Sequence, residues 1–103
     1  MIVASISFRA RPHKRAELLS AVEVTMERMR SRPGCERSRL LVDTEDPNAF
    51  TLASEWQSAA DAEAFFESRE FQVFRGLRIL LKEEPVIVLD EVGSRVTRLV
   101  TGR

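Results

Sequence analysis

Between Ala49 and Phe66 the chain changes its hydrophobic period. From Ala49 to Gln57 side chains alternate, with Phe50, Leu52, Ser54 and Trp56 on one face and Thr51, Ala53 and Glu55 on the other. That period of two predicts a strand with one buried face. At Ser58 the alternation stops, and Ala62, Phe65 and Phe66 follow at helical spacing. Serine suits an N-cap, and Asp61, three residues on, takes the acidic place of a capping box. A strand that turns straight into a helix with an aromatic face folds into two layers, the Phe50–Trp56 face meeting the helix.

The same punctuation divides the rest of the chain. Residues 2–10 alternate as a strand, Ile2, Ala4, Ile6 and Phe8 against Val3, Ser5, Ser7 and Arg9. Arg11-Pro12-His13-Lys14 breaks it and opens a helix from about His13 to Ser31, since proline is tolerated in a first helical turn. Leu19, Val22, Met26 and Met29, with Leu18 beside them, form its apolar stripe. Arg32-Pro33-Gly34 stops it, because Pro-Gly suits a turn that needs positive φ. Cys35 then reads as a small buried filler. Glu36 to Thr44 is a second strand, with Ser38, Leu40 and Val42 on one face, and Glu45-Asp46-Pro47-Asn48 is the turn of an antiparallel hairpin with the strand that ends at Trp56. Ser68 caps a further helix, with Phe71, Phe74, Leu77 and Leu81 at helical spacing and Lys82 in the last turn before Pro85. Gly76 inside it predicts a close approach to a neighbouring element. Pro85 to about Val92 is the last strand, and residues 93–103 form an arm.

Strand, helix, strand, strand, helix pair, strand is the order of a ferredoxin-like split β-α-β-β-α-β unit. This is an α+β domain spanning 1–103, with a four-stranded antiparallel sheet and its helices on one face. The other face would carry Val3, Ser5, Leu41, Thr51, Ala53, Ile87 and Leu89, too apolar to be left in water. Packing two such sheets face to face predicts a homodimer, a dimeric α+β barrel, with the arm reaching the partner.

Composition narrows the function classes. Sixteen basic and sixteen acidic side chains give a formal net charge of zero. Nucleic-acid binding is not expected, because it needs a basic excess over one face. One cysteine excludes an internal disulfide, and one histidine argues against a protein-only zinc site. No apolar run is long enough to cross a bilayer, and Met1-Ile2-Val3-Ala4 lacks the basic start of a signal peptide, so the expected place is the cytoplasm, away from membranes.

Three groups of residues carry a resemblance. They are Arg32-Pro33-Gly34-Cys35 after the first helix, Glu55-Trp56-Gln57-Ser58 at the end of the hairpin, and Glu63-Ala64-Phe65-Phe66-Glu67-Ser68 leading to Phe71-Gln72-Val73-Phe74. In this order and at these separations the chain resembles the antibiotic biosynthesis monooxygenase (ABM) domains, small dimeric α+β barrels. Relatives include quinol and anthrone monooxygenases, haem-degrading enzymes and signal-molecule isomerases. The resemblance implies a pocket between helices and sheet, with Trp56 as the pocket tryptophan. It also implies departures. Where the haem-degrading branch places an iron-binding histidine, this chain has Phe66. Where the anthrone-oxidising branch has an asparagine, it has Leu52, and it has no tyrosine.

The implied chemistry needs no cofactor or metal: an electron-rich phenol or quinol loses a proton, and its anion reduces dioxygen. The protein supplies an apolar enclosure and hydrogen bonds for the developing oxyanion. Trp56 and Ser54 are the candidate catalytic residues. Leu52, Phe65, Phe66, Phe74 and Ile6 are the candidate walls for a small hydrophobic or aromatic ligand. His13, at a helix start, reads as exposed or capping, and Glu55 as an ion-pair residue on the dimer side. The alternative is a ligand-binding or structural homodimer without chemistry. A cavity of about 300 Å³ or more beside Trp56 marks the first reading. A cleft filled by Phe65, Phe66 and Phe74 marks the second.

Overall fold

In the computed structural model residues 1–93 are described. The elements are β1 (Ile2–Arg9), α1 (Arg15–Arg30), β2 (Cys35–Val42), β3 (Ala49–Trp56), α2 (Ala59–Phe66), α3 (Arg69–Arg75) and β4 (Val86–Glu91). The strands form one antiparallel sheet in the order β2-β3-β1-β4, the ferredoxin-like arrangement. The expected arm lies, apart from Gly93, outside the described residues. Among those residues no helix is long and apolar enough to cross a membrane.

Register fixes what each face carries. Ile2 pairs with Trp56, Ala4 with Ser54, Ile6 with Leu52 and Phe8 with Phe50. On the other side of β3, Ser38 pairs with Ser54 and Leu40 with Leu52. Directly paired residues point to the same side, so these form an inner face, which α1, α2 and α3 cover. The hairpin turn is held by Asp43, whose Oδ1 accepts from the Glu45 and Asp46 amides at 2.7 and 3.2 Å. Ser58 and Ser68 cap α2 and α3 as their sequence positions predict, accepting from Asp61 and Phe71 amides at 3.2 and 3.4 Å. Gly34 has φ +85°, and Asp61 packs so closely on it that a side chain would not fit. The turn after α1 thereby fixes where α2 begins.

Four local expectations are corrected. The helix α1 starts at Arg15, after a turn in which the Lys14 amide donates to the Arg11 carbonyl at 3.0 Å, so Pro12 and His13 precede it; His13 is exposed and has φ +66°. The buried stripe of α1 is Leu18, Val22, Thr25, Met26 and Met29, with Leu19 only half-buried. Thr25 tolerates burial because its hydroxyl donates to the Ala21 carbonyl, 3.0 Å away. The helix α3 ends at Gly76 instead of continuing to Lys82. A Cβ on Gly76 would meet only its own helix's carbonyls, at 3.4 Å, so no close approach to another element explains it. The chain beyond it turns to serve β1: the Arg11 amide donates to Leu80 O at 2.9 Å, the Lys82 amide to Arg9 O at 2.9 Å, and Ala10 bridges Leu81. Backbone groups past the last β1–β3 pair need partners, and Leu80 and Leu81 bury themselves in supplying them.

The strand β4 is phased opposite to expectation. Ile87 pairs with Ile6 and Leu89 with Ala4, which places both on the helix side and not on the open face. Val86 and Val88 face the open side instead, opposite Ser7 and Ser5, and are 59% and 46% exposed. A run that is apolar on both faces has no phase of its own, so only its partner strand sets it.

Candidate functional site

Every aromatic residue of the chain enters one connected set of ring contacts. It starts at Trp56, the last residue of β3. Its indole stacks on Phe65 of α2 (centroids 5.9 Å) and meets Phe66 edge-on (6.3 Å). Phe71 of α3 continues it, 5.8 Å from Phe65 and 5.0 Å from Phe66. Phe74 follows one turn on, 5.8 Å from Phe71, and meets Phe8 of β1 edge-on at 5.6 Å. Phe8 stacks on Phe50 at 5.5 Å, which closes the count of six phenylalanines and one tryptophan. Offset and edge-on pairs of this spacing favour a fixed packing beyond the burial of their area.

Apart from Thr25 on α1, the buried polar side chains among the described residues, Ser54 and Ser38, lie in one row. The Trp56 Nε1–H donates to Ser54 Oγ at 2.9 Å, and both residues are buried. Ser54 faces Ser38 on β2. Ser38 Oγ accepts from Arg30 Nε at 2.8 Å, and its carbonyl from Arg30 Nη2 at 3.1 Å. The row therefore runs from indole to serine to serine to a guanidinium at the end of α1. Among the described residues no buried side-chain nitrogen or oxygen is left without a partner.

The seven residues singled out from sequence all lie on this inner side. Ile6, Leu52, Ser54, Trp56, Phe65 and Phe74 are fully buried, and Phe66, at 8% exposed, alone reaches the surface. They are packed against one another, as in a filled cleft; Ser54 also borders a cavity of about 270 Å³ on the open side of the sheet, lined by Val3, Arg39, Ala53 and Glu55 and not by Trp56. Ser54 binds the indole, and none of these seven side chains is a carboxylate or imidazole. Arg30 and Ser38 were not anticipated as a pair. The available signal was a serine alternating with Leu40 and Val42 on a core face, which requires a partner.

Outside this interior, Glu55 lies on the open face and meets Arg37 at 3.9 Å. Cys35 pairs with Trp56 at the end of the hairpin, and burial raises its thiol above the ordinary range despite a weak contact to the Arg37 carbonyl. A raised value means little thiolate at neutral pH, which fits a filler. Among the described residues no three of His, Cys, Asp and Glu converge as metal ligands would.

Comparison with known proteins bears on the whole fold. The crystal structure of an antibiotic biosynthesis monooxygenase superposes with a TM-score of 0.80, at 21% identity, over 91% of this chain and 100% of that one. A Deinococcus radiodurans protein named as a candidate antibiotic biosynthesis monooxygenase gives 0.89 at 16% identity, covering 97% and 100%. A Nitrosomonas europaea protein similarly named gives 0.81 at 21%, covering 91% and 100%. At these identities the likeness is one of fold. No curated protein sequence matches. The sequence pattern of antibiotic biosynthesis monooxygenases itself matches residues 1–77, from β1 through the ring-bearing helices α2 and α3. With three strands, the tryptophan and the aromatic helices all inside that match, the chain belongs to the antibiotic biosynthesis monooxygenase family.

Proposed function

We propose that the protein is a cofactor-independent monooxygenase of a small aromatic or quinol-type substrate. Family membership supports a monooxygenase-type role. The observation that carries the finer reading is the Trp56–Ser54 hydrogen bond, a polar pair enclosed by phenyl rings. In such a reaction the substrate anion supplies the electrons, one oxygen atom joins a ring carbon, and the other leaves as water. An indole N–H released from Ser54 is a hydrogen-bond donor for the developing oxyanion, strengthened by its dry surroundings. Entry requires the rings to part. Phe66 is the reading's door, since it alone of the candidate walls reaches solvent.

A second reading has its own observation. The filled interior favours a small-ligand-binding or structural protein that keeps the fold without the chemistry. In both readings the chain works as a homodimer. The open face of the sheet, with Leu41, Val86 and Val88 each at least 46% exposed, is the surface two copies would share.

Oxygen uptake with a panel of anthrones and quinols separates the readings. Under the first, the unsubstituted protein turns over at least one of them, and Trp56→Phe lowers kcat by about 10-fold or more while Ser54→Ala costs less. No uptake with any substrate leaves the second reading standing, whereas uptake at equal rates in all three proteins places the chemistry away from Trp56 and Ser54.

A further inference from the structure

A separate cavity of about 190 Å³ lies where the segment after α3 closes on the end of β1, lined by Arg11, Arg75, Arg78, Lys82, Glu84 and neighbours that include Glu83. Four cationic side chains thus meet two carboxylates in one small space. Their positions are set by backbone. Arg11 is tied at both ends, its amide to Leu80 O at 2.9 Å and its Nε to Arg78 O at 3.0 Å. Lys82 is anchored through its amide to Arg9 O, and Arg75 ends α3. Glu83 is drawn toward Arg9, 3.8 Å away. Glu84 therefore stands as the carboxylate between two guanidiniums, with one oxygen 3.7 Å from Arg75 and the other 3.8 Å from Arg78.

The contacts to Glu84 are long, between side chains 42% to 82% exposed, and hence weak. A monoanion on a tether satisfies only part of a four-cation set. A tetrahedral dianion offers more oxygens to guanidinium forks, which match phosphate geometry better than a single point charge does. We propose that this cavity is a phosphate-binding site in which Glu84 is the displaceable stand-in for the ligand. It lies apart from the aromatic interior and is independent of the reading given above.

Titration calorimetry with inorganic phosphate at low ionic strength, against sodium chloride matched in ionic strength, tests it. The expected result is saturable binding at one site per chain. Arg75→Gln with Arg78→Gln weakens it by about 10-fold or more, as loss of two charge-assisted contacts requires. Glu84→Gln tightens it several-fold, because the competing carboxylate is gone. Arg28→Gln, at an exposed position near the far end of α1 from Arg11, leaves it unchanged. Glycerol 3-phosphate as a second probe identifies the source: comparable or tighter binding assigns the site to a phosphate group on a larger molecule, and lost binding assigns it to the free ion. The proposal is overturned if phosphate does no more than matched chloride, if Glu84→Gln weakens binding or leaves it as it was, or if Arg28→Gln matches the arginine pair. Each variant's circular dichroism melt shows that it is folded, and the substituted side chains are exposed enough to change without disturbing the core.

Discussion

The two faces of the sheet are made by the same strands and differ in almost every other respect. The inner face carries Trp56, Phe8 and Phe50, and the helices bring the remaining rings onto it. The outer face carries Val3, Ser5, Ser7, Thr51, Ala53 and Leu41 in rows between Arg37–Glu55 at one end and Val86 at the other. The outer face also carries Arg39 and Asp90, so it is the more polar of the two, yet Leu41, Val86 and Val88 stay exposed on it. Only the inner one has side chains long enough to fill a layer by themselves. The difference teaches that one side of this sheet is closed by its own chain and the other is not.

The largest effect belongs to the closed side. Phe65→Ala removes a ring that touches Trp56, Phe66 and Phe71, and is expected to lower unfolding free energy by about 3–5 kcal/mol in urea titration. A loss under about 1 kcal/mol would show that the cluster is loosely packed, with room for a ligand after all.

On the open side, Leu41→Lys with Val88→Lys is expected to change the stability of the single chain by no more than about 0.5 kcal/mol each, as exposed substitutions do. In sedimentation the same pair should convert a dimer into a monomer. A monomer mass for the unsubstituted protein at micromolar concentration would break the comparison, since the open face would then be simply solvated.

The smallest effect sits at the rim between them. Cys35 pairs with Trp56, and burial holds its thiol above the ordinary range. The unfolded chain therefore releases this proton first as pH rises. Its contribution to stability is complete below the unfolded value and falls away as pH climbs from there through the folded one. Alkylation by iodoacetamide followed against pH should show a higher midpoint in the folded protein than in urea. An equal or lower midpoint would place Cys35 in a polar, reactive setting.

Much of this was legible in the residues. Strands with one polar and one apolar face declared their phase, so β1, β2 and β3 orient as their alternation predicts. Serine caps marked the starts of α2 and α3. β4 was misphased because Val86-Ile87-Val88-Leu89 is apolar at every position. Leu77 and Leu81 continued a helical spacing that the chain abandons at Gly76, since β1's unpaired backbone groups draw Leu80 and Leu81 into a turn. Face and period put Trp56, Ser54, Phe65, Phe66 and Phe74 on the buried inner side, where the structure has them. That they would fill the space rather than surround it depends on how helices sit over a sheet, which no local pattern specifies. Arg30 bonds Ser38 across a turn and between layers, a contact of the same kind.

The sheet order also has a consequence in time. β1 lies between β3 and β4, pairing Ile2 with Trp56 on one side and with Glu91 on the other. Its second neighbour is thus nearly the whole described chain away in sequence. During synthesis the hairpin of β2 and β3 can dock on β1 as soon as Trp56 has emerged. One edge of β1, with Val3, Ser5 and Ser7 along it, stays unpaired until β4 has been made. Long-range pairing of this kind slows folding and leaves an open strand to meet other chains. The sheet's final registration is therefore an event that follows translation of its last strand, and the interval before it is when this protein is most exposed to aggregation.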